Sequence, residues 1–214
     1  MRFSIRSSTY RDRRDAGAVL ADLLGDYRDD PDAVVLGLVR GGVPVAAETA
    51  RLLGVPLDVL VVRKLGVPWA PEVAFGALGP AGVRVLNPQI ADRLSQDDID
   101  AVSELEAAEL ARRERVYRPD NQPLDLSGRT AIVVDDGLAT GATARAAVEV
   151  ARKLGAKRVV IAVPVGSIEA VRLLEQAADQ VICPLTPGDF GAVSRFYDDF
   201  HQVTDAEVRS LLAD

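Results

Sequence analysis

The chain reads as an α/β protein with a mostly parallel central sheet flanked by helices, one domain over residues 1–214. Three observations predict this. Apolar runs of strand length alternate with segments of helical period. The runs Ala33–Val39, Thr130–Asp135 and Arg158–Val165 are near-continuous in Val, Ile and Leu, as strands covered on both faces are. A content of 48% hydrophobic and 27% charged residues in 214 suits a globular domain with a sizeable core.

Taken in order, Asp12 is placed to cap a helix whose apolar positions Ala16, Val19, Leu20, Leu23, Leu24 and Tyr27 follow the spacing of one buried face. Asp29–Asp32 end it. Ala33–Val39 is the first strand, Arg40-Gly41-Gly42 a tight turn, and Pro44 opens a helix that runs to Leu53. Leu57–Arg63 reads as a second buried strand, with Lys64–Pro68 as the loop after it. Val73–Leu78 and Val83–Asn87 flank Gly79-Pro80-Ala81-Gly82 as a hairpin. Asp98–Arg118 is a charged helix with Ile99, Val102, Leu105 and Val116 inward and Glu104–Arg115 as a solvated face. Both interrupt the rhythm, as an insertion over about 79–128. Thr130–Asp135 is a strand, Gly141–Leu154 a helix ended by Gly155, and Arg158–Val165 a further strand. Residues 184–214 form a C-terminal hood.

Composition excludes several functions. A net charge of -7 gives no general basic field for nucleic acid. No apolar stretch approaches the roughly 20 residues of a spanning helix. Met1–Arg14 shows no signal peptide, and the single cysteine, Cys183, fits a reducing cytoplasm as a buried small residue. The one histidine, His201, has no G-x-S-x-G partner, which leaves serine or cysteine triad chemistry without a nucleophile motif.

The informative stretch is Ile132-Val133-Val134-Asp135-Asp136-Gly137-Leu138-Ala139-Thr140-Gly141-Ala142-Thr143. A buried strand delivers two carboxylates to its C-terminal end, and a small, hydroxyl-bearing turn then opens a helix. Free N–H groups of that first turn, with the Thr140 and Thr143 hydroxyls, suit a phosphate, and Gly141 lets the backbone come close. Two carboxylates would repel the same phosphate. They make sense facing sugar hydroxyls or a divalent cation shared with the substrate. Ala142 stands where a nucleotide-triphosphate loop needs Lys, and G-x-G-x-x-G is absent.

In these residues the chain resembles the type I phosphoribosyltransferases, marked by an apolar strand, an acidic pair and a Thr-Gly-x-Thr turn. Residues 14–200 look like the small bacterial members of that family. The resemblance implies that phosphoribosyl pyrophosphate is the donor. Asp135 and Asp136 would then meet the ribose hydroxyls, and Gly137 together with Ala139, Thr140, Gly141, Ala142 and Thr143 would surround the 5′-phosphate. Arg40, Gly41 and Gly42 occupy the place of the pyrophosphate loop, and Arg63 and Lys64 that of a basic strand end. The expected catalytic groups are Arg63, Lys64, Asp135 and Asp136.

On a protein of charge -7, attraction for such a donor must be local, and Arg40, Arg63 and Lys64 supply it. The resemblance also implies Mg2+, held mainly through substrate and water. Val67–Gly76, with Trp69, sits where the family has a lid. The partners implied are the donor and a small nitrogenous acceptor, with no membrane and nucleic acid disfavoured; a homodimer is allowed. Ala139 stands where the family's hypoxanthine and guanine enzymes carry an aspartate base, which counts against a 6-oxopurine acceptor handled in that way. Phe190, Phe196, Tyr197 and Phe200 suit either a stacking hood for a planar base or an anchor for the C-terminal segment. The other reading is a regulator that binds the donor without turnover.

Overall fold

A computed structural model describes residues 9–118 and 123–213. Met1–Ser8, residues 119–122 of the expected insertion, and Asp214 lie outside the described residues. In chain order the elements are α1 (Arg13–Leu23), β1 (Ala33–Leu38), α2 (Gly42–Leu53), β2 (Leu57–Leu60), β3 (Arg63–Val67), β4 (Ala70–Leu78), β5 (Arg84–Leu86), α3 (Pro88–Ala91) and α4 (Gln96–Tyr117). They continue with β6 (Thr130–Val134), α5 (Ala142–Lys153), β7 (Arg158–Ala162), α6 (Ile168–Glu175), β8 (Gln180–Ile182) and α7 (Asp205–Ala213).

Five strands form a parallel sheet in the order β2-β1-β6-β7-β8. Alternate side chains of each strand feed cores on opposite faces. Ile132 and Val134 join Leu20, Val45 and Leu53 of α1 and α2. Ala131 and Val133 join Ala147 and Val148 of α5 and Leu174 of α6. Each fully buried aliphatic side chain stabilises the fold by about 1.5–3 kcal/mol, which is why the buried stretches 33–38, 131–134 and 159–162 carry no polar residue. The strand order reverses between β1 and β6, the switch point at which a doubly wound sheet opens a crevice beyond its carboxyl ends. Gly37 pairs with Val134, so the loops after these two strands leave side by side.

The second strand differs from expectation. The run Leu57–Arg63 breaks at Val61-Val62, and Arg63–Val67 begins a separate antiparallel sheet, β3-β4-β5. Lys64–Pro68 is therefore mostly strand, and the expected lid is a β-hairpin with Pro68 and Trp69 at its tip. The hairpin across Gly79–Gly82 is present, as β4 against β5. This small sheet packs with α4 and α7 around a third core of Leu65, Phe75, Ile99, Leu110 and Val208.

Helix α4 starts at Ser95, whose hydroxyl accepts the Asp98 N–H at 3.1 Å. Of its expected inner positions, Leu105 is instead 70% exposed, and Leu110 and Tyr117 are buried. Around α1 the expected Ala16, Leu20 and Leu24 are fully buried, but the stripe is turned by one position. Arg13, Ala16, Gly17, Leu20 and Ala21 face inward, while Val19 and Leu23 stay exposed.

Candidate active site

At the end of β6 the chain places Asp135 and Asp136 beside the loop after β1. The Asp136 N–H donates to Asp135 Oδ1 at 2.9 Å. Burial, and then the neighbouring Asp136 charge, push the Asp135 carboxyl well above the usual carboxylate range. Burial also raises Asp136, against the opposing pull of Arg13.

Arg13, the first residue of α1, reaches across to this pair. Its Nε and Nη2 donate to Asp136 Oδ2 at 3.0 and 2.9 Å, and its Nη1 donates to the His201 carbonyl at 2.9 Å. Its guanidinium carbon lies 4.0 Å from the centroid of the Phe200 ring. The two side chains are only 7% and 15% exposed, so this pair is little screened by water. Sequence reading missed Arg13. The available signal was the cap: once Asp12 fixes the helix start, Arg13 falls on the same stripe as Ala16, Gly17 and Leu20.

Gly41 and Gly42 stand against the acids. A Cβ on Gly41 would overlap the Asp136 carboxylate, and one on Gly42 would lie 2.5 Å from the Val134 carbonyl oxygen and 2.8 Å from Asp135 Cα. The peptide joining Val39 to Arg40 is cis. Arg40 is half-exposed, its Nη1 3.6 Å from Asp205. Arg13, Arg40, Gly41, Asp136, Phe200 and Val203 line a crevice of about 390 Å³.

The loop Gly137–Gly141 is tied from behind. Leu138 N–H donates to the Val165 carbonyl at 2.9 Å, and Ser167 Oγ donates to the Ala139 carbonyl at 2.8 Å. Gly141 adopts φ +74°, which a β-carbon would strain, and then opens α5. Ala139, Thr140 and Thr143 are exposed at this mouth, and Thr140 Oγ1 accepts the Ala142 N–H at 3.3 Å. The first-turn N–H groups of a helix have no partner within it, so an anion placed here meets both donors and the positive end of the helix dipole.

Of the expected basic residues, only Arg40 lies in that crevice. Arg63 opens β3, where its Nε donates to Glu106 Oε2 of α4 at 2.6 Å. Lys64 follows it and is exposed. The Glu104–Arg115 stretch is thus more than a solvated face. The C-terminal aromatics form an anchoring cluster. Tyr10, Phe196 and Tyr197 are buried together with Val165, and Phe190 and Phe200 pack on them. Tyr197 OH donates to the Asp136 carbonyl at 2.6 Å, and burial raises that phenol well above its ordinary value. The His201 ring lies between Asp199 and Glu207 at 3.2 and 2.9 Å, which raise its pKa, Glu207 the more.

A switch-point crevice with an acidic pair on one lip and an open helix mouth beside it defines a doubly wound α/β protein whose site is built from loops. The chain belongs to the phosphoribosyl transferase domain family, whose model matches residues 8–201. It is 50% identical over 205 residues to a Mycobacterium tuberculosis protein named as a phosphoribosyl transferase, covering 95% of this chain and 46% of that one. The chain therefore spans about half the length of the curated relatives it matches. The bifunctional protein PyrR of Chloroflexus aurantiacus is 32% identical over 118 residues, 54% of this chain and 60% of that protein. The crystal structure of TT1426 from Thermus thermophilus superposes with a TM-score of 0.88 at 44% identity, covering 95% of this chain and 97% of that one. Among the described residues no helix is long and apolar enough to cross a membrane.

Proposed function

We propose that this chain transfers ribose 5-phosphate from phosphoribosyl pyrophosphate to a nitrogenous acceptor, releasing pyrophosphate. The observation that carries the reading is the placement of Asp135-Asp136 beside the Thr140–Thr143 helix mouth at the β1/β6 switch point. Carboxylates accept hydrogen bonds from two ribose hydroxyls, while Gly137 and Ala139 to Thr143 surround the 5′-phosphate through N–H and hydroxyl donors. Arg40, Gly41 and Gly42 serve the pyrophosphate, with Arg63 and Lys64 of β3 as further cationic groups.

In the transfer, the bond from C1 of the ribose to the pyrophosphate oxygen breaks, its electron pair leaving with pyrophosphate, the acceptor nitrogen's lone pair forms the new bond to C1, and a proton carried by that nitrogen passes to water or to the departing pyrophosphate. The protein's contribution is to hold the pentose at both ends and to place permanent positive charge where negative charge grows. Among the described residues no three acidic, histidine or cysteine side chains cluster as a metal cage. Asp135 and Asp136 beside a phosphate cradle instead fit a magnesium ion that keeps several waters and is held largely by the donor's own phosphates. When bound, it supplies positive charge to the leaving group. Function in the cytoplasm agrees with this substrate.

Calorimetric titration with phosphoribosyl pyrophosphate and magnesium tests donor binding, and pyrophosphate release over a panel of purine, pyrimidine and other nitrogenous acceptors tests turnover. No heat with the donor overturns the reading. Binding with no release across the panel favours the regulator.

A further inference from the structure

The inserted helix α4 touches Arg63 directly and reaches Arg40 through Asp205 of α7. Near its middle, Glu106 accepts from Arg63 at 2.6 Å, in a pair 20% and 27% exposed. At its end, Tyr117 OH donates to Asp205 Oδ1 at 2.7 Å, and that oxygen is the one 3.6 Å from Arg40. Leu60 at the end of β2 pairs with Leu38 at the end of β1, so Arg63 and Arg40 follow the same end of the sheet, and each already faces a carboxylate supplied by an element outside the sugar-phosphate motif. An arginine does not shed its proton, so a half-buried guanidinium keeps its charge and favours an anionic partner. A phosphate oxygen and a carboxylate oxygen are equivalent acceptors for its planar fork.

We propose that Glu106 is a positioning residue whose carboxylate competes with pyrophosphate for Arg63 and gives it up when the donor binds. The inference rests on the donor reading above. Donor affinity at Arg63 is then a difference, phosphate contact minus Glu106 contact. After transfer, Glu106 competes with free pyrophosphate for the same guanidinium and shortens its stay.

Inorganic pyrophosphate with magnesium is the probe, titrated into the wild-type chain, E106Q, R63Q and the double variant, with a thermal melt of each as a folding control. E106Q keeps the shape of the side chain and removes its charge. It is expected to bind pyrophosphate about two- to fivefold tighter and release it more slowly, the range expected for loss of a partly exposed ion pair. In the R63Q background the same change is expected to give no gain. A merely structural Glu106 would give equal or weaker binding in E106Q, and that result overturns the inference, as does a gain that persists without Arg63. If the wild type binds phosphoribosyl pyrophosphate but E106Q shows no gain, only this inference falls; if neither protein binds either anion, the donor reading falls with it.

Discussion

Arg13→Ala removes a buried cation that the acidic pair depends on. The variant loses two hydrogen bonds to Asp136, one to the His201 carbonyl and the stacking on Phe200. Breaking a buried pair by deleting one partner costs about 3–5 kcal/mol, because the other charge is left alone. Asp136 can escape part of that cost by taking up a proton, toward which burial already biases it. The expected loss at pH 7 is therefore at the lower end, about 3 kcal/mol, a fall in Tm of about 6–12 °C for a chain of this size. Without Arg13 the folded-state pKa of Asp136 rises further above its unfolded value. A raised acid contributes stability that is present below the unfolded pKa and lost as pH climbs through the folded one. The deficit should accordingly be small near pH 4 and grow toward pH 7. Urea melts followed by circular dichroism at both pH values measure it. Adding Asp136→Asn should recover more than half of the loss at pH 7, since no unpaired charge then remains. A deficit below about 0.5 kcal/mol at pH 7, or one equal at the two pH values, would refute the reasoning.

Thr140→Ala, at an exposed position, should lower affinity for phosphoribosyl pyrophosphate at least about tenfold with an unchanged melt, as calorimetry can check. Asp136→Ala should lower it as much, but with a drop in Tm as well, because Arg13 is stranded. Gly42→Ala drives a methyl group against the Val134 carbonyl and Asp135 Cα, neither of which can swing aside; a loss of about 1–3 kcal/mol by urea melt, together with loss of donor binding, is expected. The only tryptophan, Trp69, is 70% exposed at the β3–β4 tip, so its emission should start red-shifted and move to the blue if the hairpin closes over bound donor and magnesium. Trp69→Ala should leave stability within about 0.5 kcal/mol.

The parallel core was legible because a strand buried on both faces needs an unbroken apolar run, and β1, β6 and β7 each have one. The same rule hid the break after β2. Val61 and Val62 are as apolar as the strand before them, and nothing local says that the chain has changed sheets. Arg63 and Lys64, expected at the end of the second strand, therefore open β3 of the small sheet instead. Helix α6, eight residues capped by Ser167, is too short for periodicity to reveal. The acids and the Thr-Gly-Ala-Thr turn were legible because local chain direction alone sets them side by side. Their counter-ions were not: Arg13 lies 123 positions from Asp136, and Glu106 lies 43 from Arg63. Such pairings are fixed by how layers stack.

The clasp between the start of α1 and the aromatic segment has a consequence for how the molecule is made. Tyr10 N–H donates to the Phe196 carbonyl, and the Asp198 and Asp199 N–H groups donate to the Tyr10 and Arg11 carbonyls. On the ribosome these bonds wait until residues 196–199 have emerged, long after β1, α2 and β6, and they close a loop of high contact order. A nascent chain can thus carry its acids and its helix mouth while the wall holding Phe200 and the His201 carbonyl against Arg13 is still missing. Competence arrives with the aromatic segment.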